Sequence, residues 1–274
     1  VWWAAKRMGF ALRIRRPRLS PDMRRLLAVA APAVLAGGVV QVNLLVGRQV
    51  GSFFDGAIAW LTNADRLYQL PLGVVGIAIG IVLLPDIARR LKAEDTQGGR
   101  HAYNRATEFA LFLTVPAAVA LVAAAYPLIS VLFKRGAFLD ADVGPTALAL
   151  AIYGLGLPAF VLQKVLQPLY FAREDTRTPF RFAVWSMVVN AALALGLAPF
   201  IGFSAAAWGT TIAGWTMAAQ LWRGTRAFGE AAQMDARLRH RLPRIVLASL
   251  VMGAVIWAMR LGLGDMLETP SLRY

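Results

Sequence analysis

The chain has 274 residues, of which 58% are hydrophobic and 16% charged, and it carries a formal net charge of +14. Such a composition lies away from soluble domains and toward lipid-embedded ones, which makes an integral membrane protein the expected class. Cysteine is absent, so disulfides and thiolate metal sites are excluded.

The N-terminus has no initiator Met and no signal peptide. Val1-Trp2-Trp3 reads as the interfacial end of an earlier helix, so the chain is expected to be a fragment lacking an N-terminal part. Ala4 to Arg25 follows as a basic linker, with Met8, Leu12 and Ile14 as candidate membrane-facing side chains held near anionic lipid. Ser20-Pro21-Asp22 then supplies an N-cap, a Pro at the first helical position and a charge that suits the helix dipole.

Seven runs are long and apolar enough to cross about 30 Å of hydrocarbon: 26–47, 58–84, 107–133, 145–171, 180–200, 203–222 and 244–263. Alternating strands of about ten residues are absent, which argues against a barrel. The expected architecture is therefore a polytopic all-α bundle, with residues 1–25 as a preceding helix end plus linker. Residues 26–263 form the seven-helix lobe and 264–274 a short outward-facing tail.

The second span holds Arg66. A guanidinium costs about 2.5 to 3.5 kcal/mol at the centre of an inserted helix, so it demands a compensating partner. Pro71 removes a donor and crowds the Leu67 carbonyl, predicting a kink beside the charge. Helical spacing puts Thr62, Arg66, Gln69 and Gly73 on one face with Asn63 beside them, whereas Leu70, Val74, Ile77 and Ile81 present apolar surface. Asp65 points about 100° away from Arg66 and is not its natural intrahelical partner. The open readings are a snorkelling or acid-paired structural cation, or contact with an anionic ligand whose oxygens suit the planar donors of a guanidinium.

Glycines at 73, 76 and 80, and at 209 and 214, permit close helix approach. In the fourth span Tyr153-Gly154-Leu155-Gly156-Leu157-Pro158 fits either a discontinuous transporter helix or a simple kink. Lys164, nearer the cytoplasmic end, is either a snorkelling side chain or a second functional cation. Trp60, Trp185, Trp222 and Trp257 sit mostly near span ends as interface anchors.

Position also decides the meaning of the net charge. Most Lys and Arg fall before the first span and after the second, fourth and sixth, including Arg24, Lys92, Arg177 and Arg237. The positive-inside rule puts these loops in the cytoplasm and the C-terminus outside, and leaves no interleaved groove for nucleic acid. No nucleophile, metal-ligand cluster or phosphate-cradling loop occurs at usable spacing, so an enzyme, a cofactor or a metal is not expected.

Several stretches resemble the MurJ (MviN) family of lipid II flippases, in the multidrug/oligosaccharidyl-lipid/polysaccharide (MOP) exporter superfamily. They are Gln41-Val42-Asn43-Leu44-Leu45-Val46, Ala64-Asp65-Arg66-Leu67-Tyr68-Gln69-Leu70-Pro71-Leu72-Gly73-Val74 and Ile81-Val82-Leu83-Leu84-Pro85. Leu132-Phe133-Lys134-Arg135-Gly136-Ala137-Phe138, and Lys164-Val165-Leu166 through Arg173-Glu174-Asp175-Thr176-Arg177-Thr178-Pro179, are similar too. The resemblance implies a MATE-like fold of fourteen helices in two lobes around a charged cavity, of which this chain is the C-terminal lobe, from the end of helix six through helix thirteen. It implies transport of lipid II, the undecaprenyl-pyrophosphate-linked precursor, across the bacterial cytoplasmic (inner) membrane by alternating access. The implied partners are lipid II, membrane lipids and the N-terminal lobe of the same protein.

The essential cavity arginine of the family's eighth helix falls on Arg66. Asp65, Thr62, Gln69 and Lys164 complete the candidate substrate-binding set. Some members carry an acid that helps hold Na⁺ near the end of helix seven, where this chain has Gly47 followed by Arg48, so no metal is assigned. Some also carry Glu where this chain has Gln69, which alters the charge balance of the cavity. The competing reading is a related exporter of amphiphilic drugs or of another polyprenyl-linked glycan; cationic drugs would require acids inside, and the second span offers only Asp65. A non-transporting scaffold would predict neither an intramembrane Arg nor broken helices.

Overall fold

A computed structural model describes Arg7 and residues 21–267. The expectations for the linker, including Met8, Leu12, Ile14 and the Ser20 cap, and for the end of the tail, lie outside the described residues. Among the described residues all regular structure is helical. The elements are α1 (Pro21–Gly51), α2 (Ala57–Lys92), α3 (Thr96–Ala123), α4 (Ala125–Phe133), α5 (Asp140–Phe171), α6 (Arg177–Ile201) and α7 (Ser204–Gly224), then a 3₁₀ segment (Thr225–Ala232) and α8 (Ala236–Leu267). Each of the seven apolar runs falls on a helix or, in one case, on two. Four helices are individually long and apolar enough to cross a membrane: Thr96–Ala123, Asp140–Phe171, Arg177–Ile201 and the Ala236–Arg260 part of α8.

The run 107–133 is divided at Ala124, whose ψ of 16° departs from the helix. Pro127 explains the break: it has no N–H to offer the Ala123 carbonyl and its ring crowds that oxygen. Elsewhere proline does not interrupt. Helix α2 runs continuously through Pro71 and Pro85, and α5 through Pro145, Pro158 and Pro168. The discontinuous helix considered for Tyr153 to Pro158 is therefore not formed.

Helix α7 meets α5 at this point. Pro158 leaves the Gly154 carbonyl without its helical donor, and α7 supplies donors to the carbonyls around it. Thr211 Oγ1 donates to the Ile152 carbonyl at 2.9 Å and Trp215 Nε1 to that of Leu155 at 3.0 Å. In return Gln163 Nε2 donates to the Gly214 carbonyl at 2.8 Å.

Helix α5 is the hub, packed against α2, α3, α4 and α7. Tyr170 near its end is buried and donates to the Leu221 carbonyl of α7 at 2.6 Å. The expected close approach forms at Gly209 but not at Gly73, where a methyl group would meet nothing within 4 Å. A methyl group at Gly209 would lie 2.7 Å from Asn190 Oδ1 and 3.0 Å from the Asn190 carbonyl, so α6 and α7 meet with no room for a side chain. Asn190 in turn donates from Nδ2 to Asn43 Oδ1 at 2.9 Å, joining α6 to α1 through an amide pair.

Opposite ends of the bundle are closed differently. At one end Gly56, with φ of 78°, turns the chain into α2 beneath the Trp60 ring. Trp60 Nε1 donates to Asp142 Oδ1 at 2.8 Å, and the same carboxylate accepts from the Leu139 N–H at 2.8 Å to cap α5. At the other end Asp95 caps α3, accepting from the Gly98 N–H at 2.8 Å.

Candidate functional site

Arg66 lies in the first half of α2 and its side chain is exposed. Among the described residues no carboxylate lies within ion-pair distance of it. Asp65, the acid next to it in sequence, is half-buried and engaged elsewhere: it accepts a hydrogen bond from Gln69 one turn on. The helical angle explains this, since an i, i+4 neighbour reaches across one turn whereas i+1 points away.

The candidate stripe is thus divided in two. Thr62 and Arg66 are exposed on one surface, together with Leu70 and Val74, 64% and 74% exposed. Gln69, although also exposed, spends its amide on Asp65. Behind them Tyr68 turns inward and stacks on Tyr153 of α5, ring centroids 5.5 Å apart, with Phe160 5.8 Å from Tyr68. This aromatic cluster fixes the register of α2 on α5 and so determines which way Arg66 faces.

Lys164 is not brought beside Arg66. Its stem lies on α2 near Gly76, where a methyl group would sit 3.4 Å from Lys164 Cγ. Gly76 is ten residues beyond Arg66, about 15 Å along a helix axis. The two cations therefore lie at different depths along α2. Lys164 is exposed and, among the described residues, has no acidic partner. The position matching the family's Na⁺-holding acid, Gly47, is half-buried and precedes the exposed Arg48. Among the described residues no group of three or more His, Cys, Asp or Glu could hold a metal ion.

A polar cluster that sequence spacing does not reveal ties α8 to the bundle. Helix α8 packs chiefly on α3. Near the middle of α3, Glu108, 9% exposed, accepts from Arg105 and Arg241 and pairs with Arg237 Nε at 3.2 Å. Arg105 also reaches Asp235, while Arg100 donates to the carbonyls of Gln233 and Met234 at 3.3 and 3.2 Å. Asn104 completes the clasp, donating to the Gln233 carbonyl at 2.9 Å and accepting from the Asp235 N–H at 3.0 Å. The only sequence signal was an acid inside an otherwise apolar run.

Glu108→Ala leaves three guanidiniums without their shared carboxylate. Because the arginines are partly solvated, the loss falls between that of a surface pair and that of a buried one, about 2 kcal/mol. Lower thermal stability and faster proteolysis at 233–235 of the full-length protein in detergent are the expected readouts. Asp235 adds a pH dependence. Burial raises its pKa, but the Leu238 N–H and Arg105 outweigh that and hold it below the usual carboxylate range. A depressed folded-state pKa contributes stability above the unfolded value, so the clasp should hold at neutral pH and loosen only as pH falls below about 4.

Residues 3–264 match the family model described as "Lipid II flippase MurJ". A probable lipid II flippase MurJ of Rhizobium meliloti (strain 1021) is 46% identical over 262 residues, covering 94% of this chain and 48% of the relative. That of Rhizobium tropici is 44% identical over 277 residues, covering 99% and 52%. The chain therefore spans about half the length of the curated relatives it matches.

Among solved structures, "Lipid II flippase MurJ, inward closed conformation" superposes with a TM-score of 0.71 at 24% identity, covering 93% of this chain and 58% of that one. A MOP superfamily transporter from Pyrococcus furiosus gives 0.59 at 16% identity, covering 82% and 51%. The chain thus shares the helical fold of these two structures. By the extent of the family match and the identity of its relatives, the chain belongs to the lipid II flippase MurJ family.

Proposed function

We propose that this chain forms the C-terminal lobe of a flippase that carries lipid II across the bacterial inner membrane by alternating access, with no bond made or broken. The observation that carries the reading is Arg66, an exposed guanidinium in an apolar span with no acidic partner among the described residues. A charge in that position needs a counter-charge, and the pyrophosphate of a polyprenyl-linked precursor supplies one with oxygens suited to paired guanidinium donors. Thr62 stands beside Arg66 on the open face as an additional hydroxyl donor. Asp65 and Gln69 act from behind, and Lys164 offers a second station about three turns away.

The test is reconstitution of the full-length protein into vesicles loaded with lipid II on one leaflet, followed by detection of its headgroup on the other. Appearance above the empty-vesicle rate is expected; none in either orientation would overturn the assignment.

The proposed orientation puts the loops around Lys92, Arg177 and Arg237 in the cytoplasm, and Lys134 to Asp142 and the C-terminal tail outside. The chain has no cysteine of its own. Single cysteines placed at 92 and at 136 can therefore be probed in intact cells with an impermeant thiol reagent. Labelling at 136 and not at 92 is expected, and the reverse would invert the topology.

A further inference from the structure

Where α2 ends, α3 begins and α5 ends, the 3₁₀ segment closes a cavity of about 110 Å³. Ile87, Leu169 and Phe228 give it an apolar wall, and its charged lining consists of Arg90, Glu94, Asp95 and Arg173. Two of these four charges are committed to each other. Arg90 Nε donates to Asp86 at 2.9 Å and its Nη1 to Asp95 at 3.2 Å, while Asp95 also caps α3.

The other two have no ion-pair partner among the described residues. Arg173 lies with its Cζ 4.2 Å from the centroid of Phe228 and donates one Nη1 hydrogen to the Leu169 carbonyl at 2.8 Å. Among the described residues no carboxylate pairs with it, and desolvation pushes its pKa below the ordinary arginine value. Glu94 sits in the tight α2–α3 turn with φ of 54°, exposed, and among the described residues no cation pairs with it. One cavity thus holds an unmatched guanidinium, an unmatched carboxylate and an apolar wall. It lies at the ends of three helices whose apolar spans stop at 84, 171 and 107, the depth of lipid headgroups.

We propose that this cavity binds the headgroup of a zwitterionic aminophospholipid, Arg173 taking the phosphate, Glu94 the ammonium, and Ile87, Leu169 and Phe228 the first carbons of the glycerol ester. Charge balance selects this class. A purely anionic lipid would satisfy Arg173 but meet the Glu94 carboxylate unfavourably. A trimethylated choline head would present no N–H to Glu94. The apolar wall separates a lipid from a soluble phosphate ester, for which it would have no use.

The site is independent of the Arg66 reading, and its test does not measure lipid II transport. The full-length protein is titrated with phosphatidylethanolamine, phosphatidylglycerol and phosphatidylcholine of identical acyl chains, and bound lipid is counted by native mass spectrometry. Preference for phosphatidylethanolamine is expected. Glu94→Gln should weaken that lipid about fivefold and leave phosphatidylglycerol unweakened, whereas Arg173→Gln should weaken both to a similar extent. Among the described residues the Glu94 carboxylate has no other partner to lose, so its variant tests the site even if Arg173→Gln fails to fold. Preference for phosphatidylglycerol, unchanged binding in Glu94→Gln, or soluble phosphoethanolamine binding as tightly as the lipid would each overturn the proposal.

Discussion

Full-length protein carrying Arg66→Ala should fail to support growth of a strain depleted of its flippase while accumulating in the membrane at ordinary abundance. The two halves of that result have separate physical causes. Insertion is not impaired, because removing a charge worth about 2.5 to 3.5 kcal/mol of insertion penalty makes α2 more apolar. Packing is also spared: Arg66 is exposed, and the α2–α5 contact rests on Tyr68, Tyr153 and Phe160 behind it. What is lost is the donor set facing the open surface. Arg66→Lys keeps the charge and loses the planar fork, so it should complement poorly rather than normally if the contact is bidentate. Growth of the Ala variant at wild-type rate and abundance would mean that Arg66 is a snorkelling cation.

Much of the fold is legible in the sequence because hydrocarbon imposes a single requirement, about 20 apolar residues per crossing, that appears directly in the chain. Arg66 is legible for the same reason, since an exception to that requirement stands out. The parts that were not legible depend on which neighbour a side chain meets. Proline at 127 breaks a helix and proline at 158 does not, and only the fold shows that Thr211 and Trp215 reach the Ile152 and Leu155 carbonyls beside Pro158. Gln69 shares helical phase with Arg66, yet its amide turns to Asp65. Lys164 belongs to the same candidate binding set as Arg66 but is placed near Gly76, a distance that only the α2–α5 register determines. Glu108 and the arginines at 237 and 241 are separated by more than a hundred residues, so their meeting could not be read from spacing.

Reconstituted by itself, this chain should show no lipid II translocation above the rate of empty vesicles. Alternating access requires two bodies that rock about a shared site, and the chain spans about half the length of its relatives. The second body is expected against the Arg66 face of α2. On α2 the exposed surface of Leu70 and Val74 surrounds Arg66; the leucine and valine would be content in lipid, but the guanidinium would not. A facing lobe that encloses Arg66 in a polar cavity removes this conflict, and in its absence the face remains exposed to lipid or to another copy. Expressed as separate chains, the remainder of the protein and this one should therefore co-purify, and the pair should restore translocation that neither has alone. The Arg66→Ala version of the pair separates assembly from transport, because it should still co-purify and yet stay silent. Translocation by this chain alone would show that one lobe suffices, and the two-body mechanism would have to be abandoned.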